Sequence, residues 1–583
     1  MRQATVGAAQ EQAPSPHARR LDAVGLGACL LTLGLGLAAK ARFHVNLEEF
    51  REVAVFDELT HGKVLYRDVD WIYGPLMPAL YLGWASQMGN NLLSLRYFSI
   101  VVICVIAVLV YALSLRLTGN RWLAGTATLL SQWQIRFPTY AYAHFVAACL
   151  VLVSFVCVFT PGLFRQEKTR WLLAGIASGL AVVQQPVFEG GAALVWTALF
   201  LGLSVQMSQR RLSIGLRPKP LMAYGAAAGI TVLLASGVLA LCRTNLWGLF
   251  AVQREIVPLH EKIDYLTRFY FPLRGYLERT LDHVASLGAA FTSGTLKGLW
   301  TGLVSAVYRP GAECYFPIVR ETLLCQAALL GAIAGFRKRL RPLVSPLAAL
   351  VVWSVFVDLR GAHTQYMQYV FIAFIVLIGL GLAALQRRFG WNARHLSAGA
   401  FVLVLLMVLG TTEREASAQY VRLPYRQTGP VYLERYAAEA LEQLGLRLRT
   451  REEDVVALGY FWFPAPQLAG LEQRLLGRYH GFDLILSGKP RGRSVVQELE
   501  MIQPAWLVVS RPANYSKQTW KTLILSGDPC LETSVPAVAS LRRLLRDHYV
   551  FVEEINSGPG RLYWDDPAPA FLVFRRATSR DDH

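Results

Sequence analysis

Residues 43 to 78 have the sequence FHVNLEEFREVAVFDELTHGKVLYRDVDWIYGPLMP. The stretch follows an apolar segment of membrane-spanning character, yet it is dense in acids, aromatics and turn residues. Its pattern predicts a helix over Leu47–Thr60 that ends at His61-Gly62, with the glycine as C-cap. A rigid Tyr73-Gly74-Pro75 turn then precedes another apolar helix. Charged groups this close to a bilayer are costly to desolvate, so the stretch is a candidate functional site.

Two adjacent carboxylates, Glu48 and Glu49, stand near the start of the predicted helix. One interpretation is chemical, because a sugar hydroxyl needs a nearby base before it can act as a nucleophile. The other is structural, because acidic side chains at a helix N-terminus interact favourably with the helix dipole. The residues by themselves leave both interpretations open.

The composition predicts a membrane protein with a soluble part. Of the 583 residues, 54% are hydrophobic and 17% are charged, whereas soluble domains have about 45–50% and about 25%. The net charge of +18 comes from basic residues in short loops between apolar runs, which favours the positive-inside rule over nucleic-acid binding. The eight cysteines form no CxxC motif or Cys/His cluster, so neither a disulfide framework nor a zinc site is indicated.

Apolar runs long enough to cross a ~30 Å hydrocarbon core recur along the chain and predict about eleven transmembrane helices. The first is interpreted as an uncleaved helix rather than a signal peptide, because the acidic stretch and further spans follow it. The predicted spans are Leu21–Ala39, Leu92–Leu117, Trp122–Ile135, Ala141–Thr160, Trp171–Pro186, Gly190–Met207, Leu221–Leu241, Ile318–Gly335, Leu343–Val357, Tyr366–Leu385 and Leu396–Gly410.

Basic clusters lie in alternate loops, which predicts an inside N-terminus and an outside C-terminal domain. Residues 1–20 form a disordered basic cytoplasmic tail in this interpretation. Residues 21–410 form the transmembrane domain, with outer loops 40–91 and 243–317, and residues 411–583 form an extracytoplasmic domain. No ATP-binding motif is found anywhere in the sequence, which excludes an ATP-driven pump unless a partner supplies the motor.

The C-terminal region has the pattern of a small α/β domain. Strands are predicted at DVVALG, DLIL, AWLVVSR, YVFVEEI and FLVFRR. Helices are predicted over Val431–Leu444, Val495–Ile502 and Ala537–Arg546. No glycine-rich phosphate loop follows a strand, so nucleotide binding is not predicted here.

The motif in residues 48–75 resembles the first outer loop of the GT-C superfamily of polyprenyl-phosphate-sugar glycosyltransferases. More narrowly, it is similar to bacterial relatives of the protein O-mannosyltransferases and of the aminoarabinose transferase. In that family an Asp-Glu pair follows the first span, and a G-x-x-x-Y-R-D … Y-G-P pattern follows the pair. Here these elements are Glu48-Glu49, Gly62, Tyr66-Arg67-Asp68 and Tyr73-Gly74-Pro75. The sequence departs from the family at Glu48, where the first acid is usually Asp.

The resemblance implies a GT-C fold and assigns catalysis to Glu48 or Glu49. Tyr66, Arg67, Asp68 and Tyr73 become candidate substrate-binding residues, with Arg67 suited to a phosphate oxygen; an Arg67–Asp68 brace within the loop is the alternative. Further candidates are Glu189, near Gln184 and Gln185 at the end of the fifth span, and Arg360 with His363, whose spacing suits a donor phosphate. Arg136, Tyr140, Tyr142 and His144 are weaker site candidates, for which an interfacial aromatic belt is the favoured interpretation.

The implied activity moves a sugar from a polyprenyl-phosphate donor to an acceptor hydroxyl, with inversion, on the outer face of the bacterial cytoplasmic membrane. The acceptor is a glycan, a lipid or a protein, and membrane lipid surrounds the enzyme. No cofactor is indicated, although a divalent metal is compatible with the sequence. Two other classes stay open: a transporter or flippase of lipid-linked saccharides, and a non-catalytic assembly protein of the cell envelope.

Overall fold

The structure is a computed structural model, and it is described for the following residues: 26–27, 30, 34, 48–69, 71, 73–134, 143–160, 166–185, 191–208, 218–243, 248–249, 327–333, 344, 347–352, 369–389, 393–416, 420–425, 429–448, 455–458, 490–510, 521, 524–525, 536–556 and 570–577. The predicted tail, most of the first predicted span, most of the loop 243–317 and the predicted strand DLIL lie outside this description.

Helices dominate the first part of the chain, and many of them are apolar along their whole length. Their bounds are α1 Glu48–Thr60, α2 Leu76–Met88, α3 Leu92–Thr118, α4 Arg121–Gln134, α5 Ala143–Phe159, α6 Glu167–Gln184, α7 Gly191–Ser208, α8 Pro218–Leu241, α9 Val370–Phe389 and α10 Ala393–Ala416. Residues 327–333 and 347–352 are also helical.

These bounds agree closely with the predicted spans from residue 92 to residue 241 and from 370 onwards. The main difference is α10, which continues to Ala416 instead of stopping at Gly410. Within the described residues, two helices, Leu93–Thr118 and Pro220–Leu241, are long and apolar enough to cross a bilayer. The second of these exposes Met222, Leu233 and Leu241, an apolar surface that a helix in water would bury and that suits contact with lipid.

Helix α6 lies at the centre of the helices that position the site, since it packs against α5, α7 and α8. A Cβ atom on Gly175 would come within 2.4 Å of the Tyr224 carbonyl oxygen, and one on Gly179 within 2.7 Å of that of Ala228. Small residues four apart let two apolar helices approach this closely. The Tyr224 hydroxyl donates to Ser178 Oγ (2.9 Å), so a buried polar contact accompanies the close packing.

The C-terminal region contains strands β1 Tyr420–Tyr425, β2 Gly429–Glu434, β3 Val455–Leu458, β4 Trp506–Ser510, β5 Tyr549–Asn556 and β6 Ala570–Arg576, with helices α11 Arg435–Leu448, α12 Pro490–Ile502 and α13 Pro536–His548. A four-stranded sheet has the order β3-β4-β6-β5. Its β3–β4 pair is parallel, and the other two pairs are antiparallel.

One prediction in this region is wrong. The helix predicted over Val431–Leu444 begins at Arg435, because residues 429–434 form strand β2, which pairs antiparallel with β1. The pairing of β2 with β1 outweighs the local helical pattern of these residues. The other helices agree, since α12 and α13 contain the predicted segments Val495–Ile502 and Ala537–Arg546. Val496 and Leu541 are buried in one core with Phe574 of β6.

Candidate active site

Helix α1 carries the two predicted catalytic acids at its first two positions, Glu48 and Glu49. The structure describes their backbone and not their side chains, so their catalytic role stays a prediction. The helix ends as the sequence predicts: His61 N donates to Asp57 O (3.1 Å) and Gly62 N to Leu59 O (3.2 Å). Gly62 has φ +87°, a left-handed conformation that glycine adopts without steric cost.

We call residues 61–75 the motif loop; residues 70 and 72 lie outside the description. The loop closes on itself at Val64, whose carbonyl oxygen accepts the backbone N–H of Asp68 (2.8 Å). Tyr66 N donates to Val69 O (2.8 Å), and Tyr66 itself has φ +62°. A bulky residue with this left-handed φ is strained by about 1–3 kcal/mol. Such strain persists only where the surrounding contacts hold the residue in place.

Arg67 and Asp68 form a bidentate pair inside the motif loop. Arg67 Nε donates to Asp68 Oδ1 (2.9 Å) and Arg67 Nη2 donates to Asp68 Oδ2 (2.6 Å). Oδ2 also accepts the backbone N–H of Val64 (2.8 Å), so the carboxylate fastens the guanidinium to the turn. Donating these hydrogen bonds to the Asp68 carboxylate raises the pKa of Arg67. The brace considered from the sequence is therefore present, and the binding of a phosphate by the same guanidinium stays a prediction.

The two tyrosines of the motif, Tyr66 and Tyr73, are buried and joined by a hydrogen bond. The Tyr66 hydroxyl donates to the Tyr73 carbonyl oxygen (2.5 Å), and burial raises the pKa of Tyr66 well above its usual value. The Trp71 ring lies edge-on to Tyr73 with centroids 5.4 Å apart, and its Nε1 donates to Gly74 O (3.3 Å). These contacts give Tyr66 and Tyr73 a packing role, while their predicted contact with substrate stays untested.

The motif loop is fixed to the end of helix α6. Gly74 N donates to Gln184 O (2.8 Å), and Met77 N donates to Gln184 Oε1 (2.9 Å). A Cβ atom on Gly74 would lie 2.1 Å from Val183 O and 2.4 Å from Gln184 Cα, so only glycine permits this approach of two backbones. The Y-G-P element and the glutamines of the fifth predicted span, which are far apart in the sequence, therefore meet in the structure.

Helix α5 contacts the motif loop and the end of α6 through His144. The imidazole lies edge-on to Tyr73, with centroids 5.3 Å apart, and its Nε2 is 3.3 Å from Gln185 Nε2. Because His144 is buried, its prediction as part of an interfacial belt is wrong. The other three residues of that predicted belt lie outside the described part of the chain. The sequence offered a weak signal for His144, a polar ring at the start of an apolar run.

Sequence reasoning also missed Glu52, one helical turn after Glu48 and Glu49. Its side chain is fully buried on the packed face of α1, together with Val55 and Phe56. The signal was available, because Glu52, Val55, Phe56 and Leu59 follow the i, i+3, i+4, i+7 spacing of a buried helix face.

The remaining predicted site residues, Glu189, Arg360 and His363, lie outside the described residues, and their roles stay predictions. Among the residues that the structure describes, no group of three His, Cys, Asp or Glu side chains is placed to hold a metal ion. What the described site contains is a helix starting with two acids, a braced basic side chain, and a loop held on the ends of α5 and α6.

The chain matches no protein-family model, and it matches none of the curated proteins. Among solved structures it is similar to the Archaeoglobus fulgidus oligosaccharyltransferase complexed with zinc and sulfate, at 13% identity over 91% of this chain and 79% of that one, with a TM-score of 0.49. It is also similar to ArnT from Cupriavidus metallidurans in the apo state, at 12% identity over 96% and 98% of the two chains, with a TM-score of 0.42.

A second structure of that ArnT, bound to undecaprenyl phosphate, is similar at 12% identity over 95% of this chain and 98% of that one, with a TM-score of 0.37. The resemblance stated from the motif stays a prediction. With TM-scores under 0.5, these likenesses assign no residue and no activity to this chain.

Proposed function

We propose that this protein is a membrane glycosyltransferase that moves a sugar from a polyprenyl-phosphate donor to an acceptor hydroxyl. The observation that supports the proposal most directly is the anchoring of the motif loop. The loop that follows the acid-bearing helix α1 is bonded to Gln184 at the end of α6, and it contacts His144 at the start of α5. The two acids therefore begin a helix that leads into a loop fixed to apolar helices.

In the proposed reaction, the carboxylate of Glu48 or Glu49 takes the proton of the acceptor hydroxyl. The oxygen attacks the anomeric carbon in line and forms the new glycosidic bond. The bond from that carbon to the donor's phosphate oxygen breaks with its electron pair, which inverts the configuration and releases polyprenyl phosphate. Cationic groups stabilise the charge that grows on the leaving phosphate. Arg67, Arg360 and His363 are the proposed cations, and Glu189 is a proposed polar contact to substrate.

The proposed location is the outer face of the bacterial cytoplasmic membrane, with the N-terminus inside and residues 411–583 outside. The alternation of basic loops supports this orientation. Alkaline phosphatase fused after Gly410 is expected to be active, and a fusion near Lys338 is expected to be inactive. The reverse result would place the acids on the cytoplasmic face and overturn the proposed topology.

The decisive experiment measures transfer of radiolabelled sugar from polyprenyl-phosphate donors by the purified protein and by its Glu48→Gln and Glu49→Gln variants. Adjacent helical positions diverge by roughly 100°, so the two carboxylates have different surroundings. We expect one variant to lose about 10²–10⁴-fold in transfer rate, as for a missing general base, with normal expression and donor binding. The match to the family's Asp favours Glu48 as the base.

Glu58→Gln is the matched control, because Glu58 lies on the same helix and its carboxylate pairs with Lys63 (2.5 Å) at the loop. We expect this variant to transfer sugar at nearly the parent rate. If both Glu48→Gln and Glu49→Gln also keep the parent rate, the catalytic proposal fails. Lipid-linked saccharide moved across vesicles without covalent transfer would then support a transporter.

A further inference from the structure

One buried side chain of helix α2, Tyr81, contacts both helix α1 and helix α3. Tyr81 is 0% exposed, and its ring centroid is 4.6 Å from that of Phe56, on the buried face of α1. The same ring meets Phe98 of α3 edge-on, with centroids 5.7 Å apart. The three helices therefore share one set of aromatic contacts, which is centred on a residue outside the motif of residues 48–75.

The hydroxyl of Tyr81 orients the turn between α2 and α3. It donates to Asn90 Oδ1 (3.0 Å), with a longer bond to Asn91 O (3.4 Å). The other end of the same amide, Asn90 Nδ2, donates to the carbonyl oxygen of Val53 on α1 (3.4 Å). A carbonyl oxygen can only accept, so the Asn90 amide must turn its nitrogen towards Val53 and leave its oxygen for the tyrosine. The bond from Tyr81 therefore holds the amide in the orientation that binds α1.

Helix α1 is held at two points by these contacts. One is Phe56, which packs on Tyr81 and, with centroids 5.7 Å apart, on Trp71 of the motif loop. The other is the carbonyl oxygen of Val53, one turn nearer the start of the helix. Glu48 precedes Phe56 by eight residues and Val53 precedes it by three. Because the rise per residue is constant, a pivot at Phe56 turns a displacement of ~0.4 Å at Val53 into ~1 Å at Glu48.

We propose that Asn90, oriented by Tyr81, is a positioning residue that sets the angle of helix α1 and so places its two acids for the reaction. The proposal rests on the proposed function, in which Glu48 or Glu49 is the base. Misplacing a catalytic group by about 1 Å costs about a hundredfold in rate. One modest hydrogen bond at Val53 is therefore enough to make sugar transfer depend on it.

Asn90→Asp is the primary test, because it keeps the shape of the side chain and the oxygen that accepts from Tyr81. The nitrogen that donates to Val53 O becomes a carboxylate oxygen, and two acceptors repel each other. We expect kcat for sugar transfer to fall about a hundredfold. The donor KM and the expression level should stay near those of the parent, because the base moves while the fold is kept. A parent-like kcat would overturn the proposal.

Tyr81→Phe tests whether the tyrosine acts through Asn90. It keeps the ring contacts with α1 and α3 and removes only the hydroxyl that orients the amide. We expect kcat to fall by less than in Asn90→Asp, because the released amide still reaches Val53 part of the time. In the double variant kcat should be no lower than in Asn90→Asp alone, since residues that share one hydrogen-bond network are not additive. Losses that multiply in the double variant would show that Tyr81 acts independently and would overturn its part in the proposal.

Gln87→Glu is the matched control, because it makes the same change of an amide to a carboxylate at an exposed position of α2. Gln87 Nε2 donates to the hydroxyl of the neighbouring Ser86 (3.5 Å). We expect this variant to keep the parent kcat. A fall as large as that of Asn90→Asp would assign the loss to added negative charge and overturn the positioning role.

Hydrogen–deuterium exchange of the full-length protein in detergent tests the contact without any turnover. In Asn90→Asp we expect faster deuterium uptake in a peptide that covers residues 48–60 and unchanged uptake in one from α6, because only α1 loses an anchor. Parent-like uptake over residues 48–60 would show that Asn90 does not hold α1, even if kcat falls. Should the parent protein transfer no sugar, the proposed function fails, and the exchange result still decides whether the contact anchors the helix.

Discussion

Helix α6 makes two contacts of opposite kind. In its middle, Gly175 and Gly179 lie against backbone and Cβ atoms of α8. At its end, Gln184 receives hydrogen bonds from Gly74 and Met77. The first contact depends mainly on close packing of small residues, which one hydrogen bond from Tyr224 to Ser178 accompanies. The second depends on donors and acceptors at fixed places, and this is where the motif is located. The functional end of the helix should therefore tolerate substitution less than its apolar middle.

The largest effect is expected at Gly74, where the three nearest atoms to the added group all belong to the backbone. Gly74→Ala would place a methyl 2.1 Å from Val183 O, and no side chain can move aside. We expect about 3 kcal/mol of lost stability, the upper end of overpacking costs, together with loss of sugar transfer. Gly83→Ala on α2, where the added Cβ meets nothing within 4 Å, is the control and should unfold at or above the parent temperature.

A smaller loss is expected when the middle of α6 is enlarged. Gly175→Ala brings a methyl within 2.7 Å of Ala227 Cβ and 2.4 Å of Tyr224 O, which α8 can relieve by moving as a whole. We expect about 2 kcal/mol of destabilisation, measured by unfolding in detergent. Gly229→Ala on α8 has open space around it and should be neutral. A Gly175→Ala loss that exceeds the Gly74→Ala loss would reverse the ranking of the two contacts.

The hydrogen bonds at the two contacts should also contribute different amounts to the free energy of unfolding. Gln184→Leu leaves the buried Met77 N–H without its acceptor, at a cost of about 1.5 kcal/mol. Tyr224→Phe removes a hydroxyl that donates to Ser178 and is expected to cost about 0.6 kcal/mol, as is common between apolar helices. Both are measured by equilibrium unfolding of the same preparation. Equal costs would mean that the end of α6 is no more specific than its middle.

A loss of similar size is expected at the Tyr66 hydroxyl. Tyr66→Phe removes its hydrogen bond to Tyr73 O and is expected to cost about 1 kcal/mol below pH 10. Burial raises the pKa of Tyr66, so the unfolded chain loses this proton at lower pH than the folded protein. The stabilising contribution is therefore complete below the unfolded pKa and decreases as pH rises above about 10. In stability measured against pH, Tyr66→Phe should lack this component of the alkaline decrease; an identical decrease in both proteins would contradict the assignment.

Several features of the fold could be predicted because they depend on local sequence. The bounds of α3 and α8 follow from uninterrupted apolar runs, and the end of α1 follows from Gly62. The strand at 429–434 could not be recognised, since its conformation depends on pairing with β1, in which Pro424 faces Pro430. Two prolines in one short hairpin remove the usual strand signal.

The site was predicted as a set of residues but not as an arrangement. The motif identified Tyr66, Arg67, Asp68 and Tyr73, which the structure gathers in one loop. Spacing along the chain carries no information about contacts between distant segments, so the meeting of Gly74 with Gln184 was not foreseen. The burial of Glu52 is hard to predict for a different reason: carboxylates are rarely buried, and the pattern of a buried helix face is defined by its apolar residues.

The close approach of Gly248 to the motif loop has a consequence for natural variation. A Cβ at residue 248 would lie 2.7 Å from the Cβ of Tyr66, so the two positions share one small volume although they belong to distant segments. Related sequences should therefore vary at both positions together: where residue 248 has gained a side chain, residue 66 should have become glycine, which alone lacks the contacting Cβ, and where the tyrosine is kept, position 248 should stay glycine. A sequence alignment of homologues would therefore test, at positions 66 and 248, whether residue 248 packs against the motif loop.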